Sequence, residues 1–169
     1  MRLWLAALAA TLLVSGCGFK LRAQQNFAFD SIVINAAQNG PVALELRRVL
    51  GARVREATPA PGPGVAGATG GAQVVMDVVS EQREKTVAGV NAAGQVREFQ
   101  LRIRVIFRLR SAQGKELIAE NEILQQRDIS FNESASLAKE AEEGLLYRDM
   151  QNDIVQQLLR RLAAVTVVQ

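Results

Sequence analysis

From Val96 to Arg110, apolar and polar side chains alternate almost without interruption. Phe99, Leu101, Ile103, Val105, Phe107 and Leu109 fall in one set of positions. Gln100, Arg102, Arg104, Ile106, Arg108 and Arg110 fall in the other. Successive side chains of a strand point to opposite faces, so this is a long, half-buried β-strand; a helix would scatter both sets around its axis. Such a strand needs partners on both edges and a layer that covers its apolar face.

The flanking sequence supplies both. Ala72 to Val87 reads as a strand, with Val74, Met76 and Val78 on one side and Val75, Asp77, Val79 and Glu81 on the other. Its distal half, Glu81-Gln82-Arg83-Glu84-Lys85, is charged and is expected to protrude. Gly89 to Gly94 provides a turn, and Ser111 to Gly114 a second, tighter one. Lys115 to Ile129 returns as a strand whose alternation is broken at Asn121, the signature of a bulge. Phe27 to Ile34 is a further strand, rich in aromatic and β-branched residues.

Two helices complete the layout. Pro41 suits the first position of a helix, where its missing N–H costs nothing. Val42, Leu46, Val49, Leu50 and Val54 then form one apolar stripe over about four turns. Glu45, Arg47, Arg48, Arg53 and Arg55 mostly fill the opposite face, either as a solvated surface or as an anion-binding one. Ser130 and Glu133 match a capping box, with Asn132 and Ser134 as alternative caps. A long helix follows to about Leu162, its buried side marked by Leu137, Ala141, Leu145, Leu146, Met150, Ile154, Leu158 and Leu162. Residues 58–71 hold three prolines and five glycines, which reads as a flexible loop. The expected fold is α+β, in the order β-α-β-β-β-α. A four-stranded, mostly antiparallel sheet carries two helices on one face, within a single domain spanning residues 27–169. Arg102, Arg104, Arg108 and Arg110 share the other face. They form either a solvated surface paired with Glu116, Glu120 and Glu122 of the next strand, or a basic face turned to an anionic ligand or partner wall.

The N-terminus is of another kind. Arg2 precedes an apolar run from Leu3 to Val14, which has signal-peptide architecture and is shorter than the roughly 20 residues of a membrane span. Val14-Ser15-Gly16-Cys17 looks like a bacterial lipobox, with residues 1–16 removed and Cys17 acylated; a general signal-peptidase site is the plainer alternative. Acylation makes the chain membrane-anchored through Cys17, and residues 17–26 become a lipidated tether. Gly18, rather than Asp, after the cysteine permits sorting to the outer membrane with the domain on its periplasmic side.

Composition narrows the chemistry. The chain has no histidine and one cysteine, which removes His-based triads and metal ligands and leaves no disulfide. Residues 17–169 carry a side-chain balance of +2, too small to argue for nucleic acid. The acids at Glu81–Glu84 and Glu140–Glu143 read as solvated surface, because no apolar pocket is evident that would raise one pKa for acid–base work. No enzyme activity, cofactor or metal site is expected.

Cys17-Gly18-Phe19-Lys20-Leu21-Arg22 resembles the start of the mature LptE family of lipopolysaccharide-assembly lipoproteins. Gly94-Gln95 with Glu98-Phe99-Gln100 is similar to that family's lead-in to the third strand. Ser136-Leu137-Ala138-Lys139-Glu140, Leu146-Tyr147-Arg148-Asp149-Met150 and Gln157-Leu158-Leu159-Arg160-Arg161-Leu162 are similar to its last helix. The resemblance runs from Cys17 to about Leu162. It implies a one-to-one plug inside the outer-membrane β-barrel LptD, which inserts lipopolysaccharide into the outer leaflet, and a role in binding lipopolysaccharide and assembling the barrel. It also implies a lipopolysaccharide-binding lysine at Lys139. A second basic position of the family falls on Ala92 here; Arg83, Lys85 and Arg97 are nearby candidates to supply that charge. The competing reading is a free lipoprotein that carries an anionic lipid or glycan without a barrel partner.

Overall fold

A computed structural model of the chain describes residues 25–36, 40–56 and 71–166. The signal segment, Cys17, the tether up to residue 24 and nearly all of the 58–71 loop lie outside the described residues. Five strands form one mixed sheet: β1 (Ile32–Ala36), β2 (Val54–Arg55), β3 (Val74–Val90), β4 (Val96–Ser111) and β5 (Glu116–Ser130), in the spatial order β2-β1-β3-β4-β5. Helix α1 (Pro41–Leu50) lies between β1 and β2, and α2 (Ser136–Ala163) follows β5.

The expected four mostly antiparallel strands are therefore five, and β1 runs parallel to both of its neighbours. The extra strand arises where α1 stops. Gly51 takes a positive φ of 51° and its N–H caps Arg47 O, so the helix ends at Leu50 instead of running four turns. Val54 fits the helical spacing but sits opposite Ile32 in the sheet. β1 also starts later than its composition implies. Phe27 and Phe29 precede the ladder, their rings 5.3 Å apart, with Phe29 buried in the core.

β3, β4 and β5 form the antiparallel meander, and both long ladders contain the irregularities that decide which residues face the helices. β3 slips by one residue between Val78 and Ser80. Val74, Met76 and Val78 lie on the helix side before the slip. Beyond it the odd positions do: Glu81, Arg83, Lys85 and Val87 oppose Val105, Ile103, Leu101 and Phe99. Reading the alternation straight through β3 thus puts Glu81 on the wrong face. The second slip lies between Phe107 and Leu109, where the partner moves from Asn121 to Ile118, as the break at Asn121 implies.

The core lies between the sheet and the two helices. Ile32, Leu46, Met76, Ile103, Phe107, Met150, Ile154 and Leu158 are among its fully enclosed members. Each contributes about 1.5–3 kcal/mol of apolar burial. Val33, Ala72 and Val75 form a small second cluster, Val33 alternating away from Ile32 and Ile34. α2 buries only its later turns, through Tyr147, Met150, Ile154, Val155, Leu158, Leu159 and Leu162. Leu137 is 81 % exposed and Leu145 is exposed, contrary to the expected stripe, because the first turns of α2 run past the end of the core along the β3–β4 hairpin. The cap also differs. Ser130 is the last residue of β5, and Asn132 Oδ1 instead accepts from Ser134 N–H, starting a 3-10 turn (Glu133–Ala135) that leads into α2.

Candidate functional site

The hairpin tip begins as a turn built by Asn91. Its Oδ1 accepts from Ala93 N–H at 3.0 Å and from Gln95 N–H at 2.9 Å, while Gly94 takes φ 79°. Ala92 is exposed within this turn. Around it, β3 extends well past the core, and α2 lies along the helix-facing row that the Val78/Ser80 slip created.

Two of the four cations singled out at this end, Arg83 and Lys85, meet α2, and a third, Lys139, lies on it. The Arg83 guanidinium stacks on the Tyr147 ring, 3.9 Å from its centroid. Lys85 Nζ lies 2.7 Å from Glu143 Oε2 and 4.3 Å from the Phe99 centroid. Lys139 Nζ donates to Glu142 Oε2 at 2.9 Å and to Ser130 Oγ at 3.0 Å. Arg97 stays by the turn, its Nη2 3.4 Å from Gln95 Oε1. Tyr147 ties α2 to the hairpin through its hydroxyl, which donates to Glu84 O at 2.8 Å. Burial raises the Tyr147 pKa, Glu143 adds to the rise, and Arg83 opposes both. Val87, Val90 and Leu137 are exposed apolar side chains at the same end.

The basic face of β4 is more nearly balanced. Arg108 and Arg110 both donate to Asp77 of β3, at 3.0 and 3.1 Å, and Asn35 donates to the same carboxylate at 2.9 Å. Burial pushes the Asp77 carboxyl up, but hydrogen bonds from Asn35, Arg110 and Arg108 outweigh it and hold the pKa below its ordinary value. Arg104 lies 3.8 Å from Glu122, a weak pair, and Arg102 donates to Gln100 at 2.7 Å. Asp77, which no sequence pattern singles out, is thus the chief counter-charge of this face.

Glu81 has a role that residue type alone does not reveal. It reaches from β3 to the start of α1, where its Oε1 accepts from Val42 N–H at 3.0 Å. A carboxylate there satisfies an orphan donor and meets the positive end of the helix dipole. Among the described residues no set of three or more His, Cys, Asp or Glu could hold a metal, and no helix is long and apolar enough to cross a membrane.

The family model described as LptE, lipopolysaccharide-assembly, matches residues 29–162. The chain belongs to the LptE family. LptE is a non-enzymatic family of lipopolysaccharide-assembly lipoproteins associated with the outer membrane. Among solved structures, lipoprotein B from Nitrosomonas europaea is 35 % identical, with a TM-score of 0.68 over 87 % of this chain and 91 % of that one. Rare lipoprotein B from Shewanella oneidensis shares the fold at 21 % identity, with a TM-score of 0.60 over 79 % of this chain and 94 % of its own. A minor lipoprotein from Acinetobacter baumannii does so at 17 %, with 0.59 over 85 % and 99 %. No curated protein gives a significant match. Within the LptE match, Lys139, Arg83 and Lys85 share one end of the fold.

Proposed function

We propose that this chain is an outer-membrane lipoprotein, acylated at Cys17, whose domain plugs the LptD β-barrel, binds lipopolysaccharide and aids its insertion into the outer leaflet. One observation carries the reading. In a chain of the LptE family, the hairpin that extends beyond the core sets Arg83 and Lys85 against α2, at the end of the fold where α2 carries Lys139 and where Val87, Val90 and Leu137 are exposed. Lipid A offers phosphates beside acyl chains, so cations fringed by apolar side chains match its chemistry.

Lys85 and Lys139 are held by the neighbouring carboxylates Glu143 and Glu142. A doubly charged phosphate competes with these partly exposed pairs, each worth about 0–1 kcal/mol, so exchange at this site is cheap. Arg83 is oriented by the Tyr147 ring, which leaves its guanidinium edge for an incoming oxygen. The β4 arginines face away from the helices, and a polar barrel lumen suits that surface better than lipid does.

The test is purification of the acylated chain from detergent-solubilised outer membrane. The expected result is one copy of a large β-barrel per chain, with lipopolysaccharide bound. Recovery of the chain alone, still binding lipopolysaccharide, would instead establish a free lipid-binding lipoprotein.

A further inference from the structure

At the opposite end of the domain α1 and α2 run side by side, with Gln151 of α2 donating to Pro41 O at the start of α1. Between their later turns lies a groove of about 740 Å³ whose lining includes Gln25, Arg48, Val49, Arg53, Asn152 and Leu159. Leu159 in this groove stands sixteen positions along α2 from Glu143 at the hairpin end, a distance of about 24 Å. The groove's lining on α2 begins at Asn152, nine residues or about 14 Å along the helix from Glu143, and runs away from the basic hairpin end.

Three features meet at the groove. The first is the chain's route: Gln25, the first described residue, lines it and stands eight positions after Cys17, a reach of at most about 29 Å. The second is charge. Residues 17–56 hold six Lys and Arg against three Asp and Glu, a net +3, whereas residues 57–169 hold thirteen against fourteen, a net −1. All the net positive charge thus belongs to the segment that includes the tether and α1. The third is apolar exposure on α1 itself, at Val49 in the groove's lining and at Leu44 outside it. Leu44 and Val49 are 50 % and 45 % exposed and flank Arg48, whose guanidinium is solvent-facing though paired with Glu45. Arg53 is held nearby, 5.4 Å over the Phe27 ring.

We propose that Leu44, Arg48, Val49 and Arg53 form a membrane-resting face that docks on an anionic phospholipid surface and holds the hairpin end away from it. The proposal rests on the anchor at Cys17 proposed above. Exposed aliphatic side chains among arginines suit the headgroup boundary, where apolar burial and attraction to anionic lipid add. An acyl anchor alone leaves a domain free to tumble on its tether; a second contact fixes its orientation.

The test uses the acylated chain, in which Cys17 is blocked, so that Val49→Cys adds the single free thiol. An environment-sensitive fluorophore on that thiol is read in vesicles of phosphatidylcholine with phosphatidylglycerol, using headgroup-nitroxide lipids as quenchers. Leu137→Cys is the control at the far end. The expected result is strong quenching at position 49 and little at 137. Removing phosphatidylglycerol, or adding Arg48→Glu, should lower docking at position 49 by about fivefold or more. The lipid comparison needs no second substitution and so stands even if Arg48→Glu perturbs α1. Equal quenching at both positions, or quenching at 49 that ignores the anionic lipid, overturns the proposal while vesicle flotation keeps the anchor intact. Loss of flotation itself overturns the anchor and this face with it.

Discussion

Gly40 and Glu81 form a contact whose energy can be isolated. Gly40 precedes α1 with φ −67° and ψ 156°, a conformation open to any residue. A Cβ built there would lie 2.1 Å from Glu81 Oε2 and 2.4 Å from its Cδ. The Gly40→Ala chain must therefore expel the carboxylate, and with it the acceptor for Val42 N–H. An N-terminal cap is worth about 1 kcal/mol, and a partly buried charge on the helix dipole adds up to about 1 kcal/mol more. The buried Glu81 Oε2, which has no hydrogen-bond partner, works against both, so the net expected loss is about 1.5 kcal/mol. Glu81→Ala should cost about the same through the same lost acceptor. In the Glu81→Ala background, Gly40→Ala should be nearly neutral, because reduced chain entropy offsets alanine's poorer capping. The double-mutant cycle should return a coupling of about 1.5 kcal/mol, and each single variant should lower Tm by roughly 5 °C, by circular dichroism. Costs that simply add would refute the idea that Glu81 caps α1.

Three further outcomes are expected. Cys17→Ala should release the chain from membranes into the soluble fraction; unchanged retention after carbonate extraction would mean another anchor. Lys139→Glu should weaken lipopolysaccharide binding roughly tenfold, since reversal removes one exposed charge contact and creates a repulsive one, with the helical signal unchanged; equal binding in a titration would move the site elsewhere. Asp77 has a depressed folded pKa, so the stability it contributes is present above the ordinary carboxylate range near 3.8 and lost as pH falls through the lower folded value. Asp77→Asn should therefore unfold more readily at pH 7 and show a flatter loss of stability under acid, read from urea midpoints across pH.

The strands with one apolar face were legible because burial imposes period two, and β4 follows that period from about Phe99 to its end. α1 and α2 were legible in outline for the same reason at period 3.6. What stayed hidden was settled by geometry that composition does not encode. Val54 suits helix and strand equally, and only the positive φ of Gly51 decides between them. Leu137 and Leu145 fit the helical stripe, yet whether a stripe is covered depends on how far the core extends beneath it. At the candidate site, Lys139 was singled out through resemblance, and Arg83 and Lys85 through proximity along the chain. Tyr147, which orients one of them, sat in a recognised motif without a role, because its partners Arg83 and Glu84 O are more than sixty residues away.

The single-residue slip after Val78 makes β3 two strands in one chain, with opposite handedness of presentation. Paired in strict alternation without the slip, the same 17 residues would exchange the two sides of everything beyond Val78. Gln82 and Glu84 would turn toward α2, and Arg83 and Lys85 would join the arginine face. One inserted residue thus lets the core-forming half and the charged half of the strand drift independently under selection, since neither has to match the other's parity.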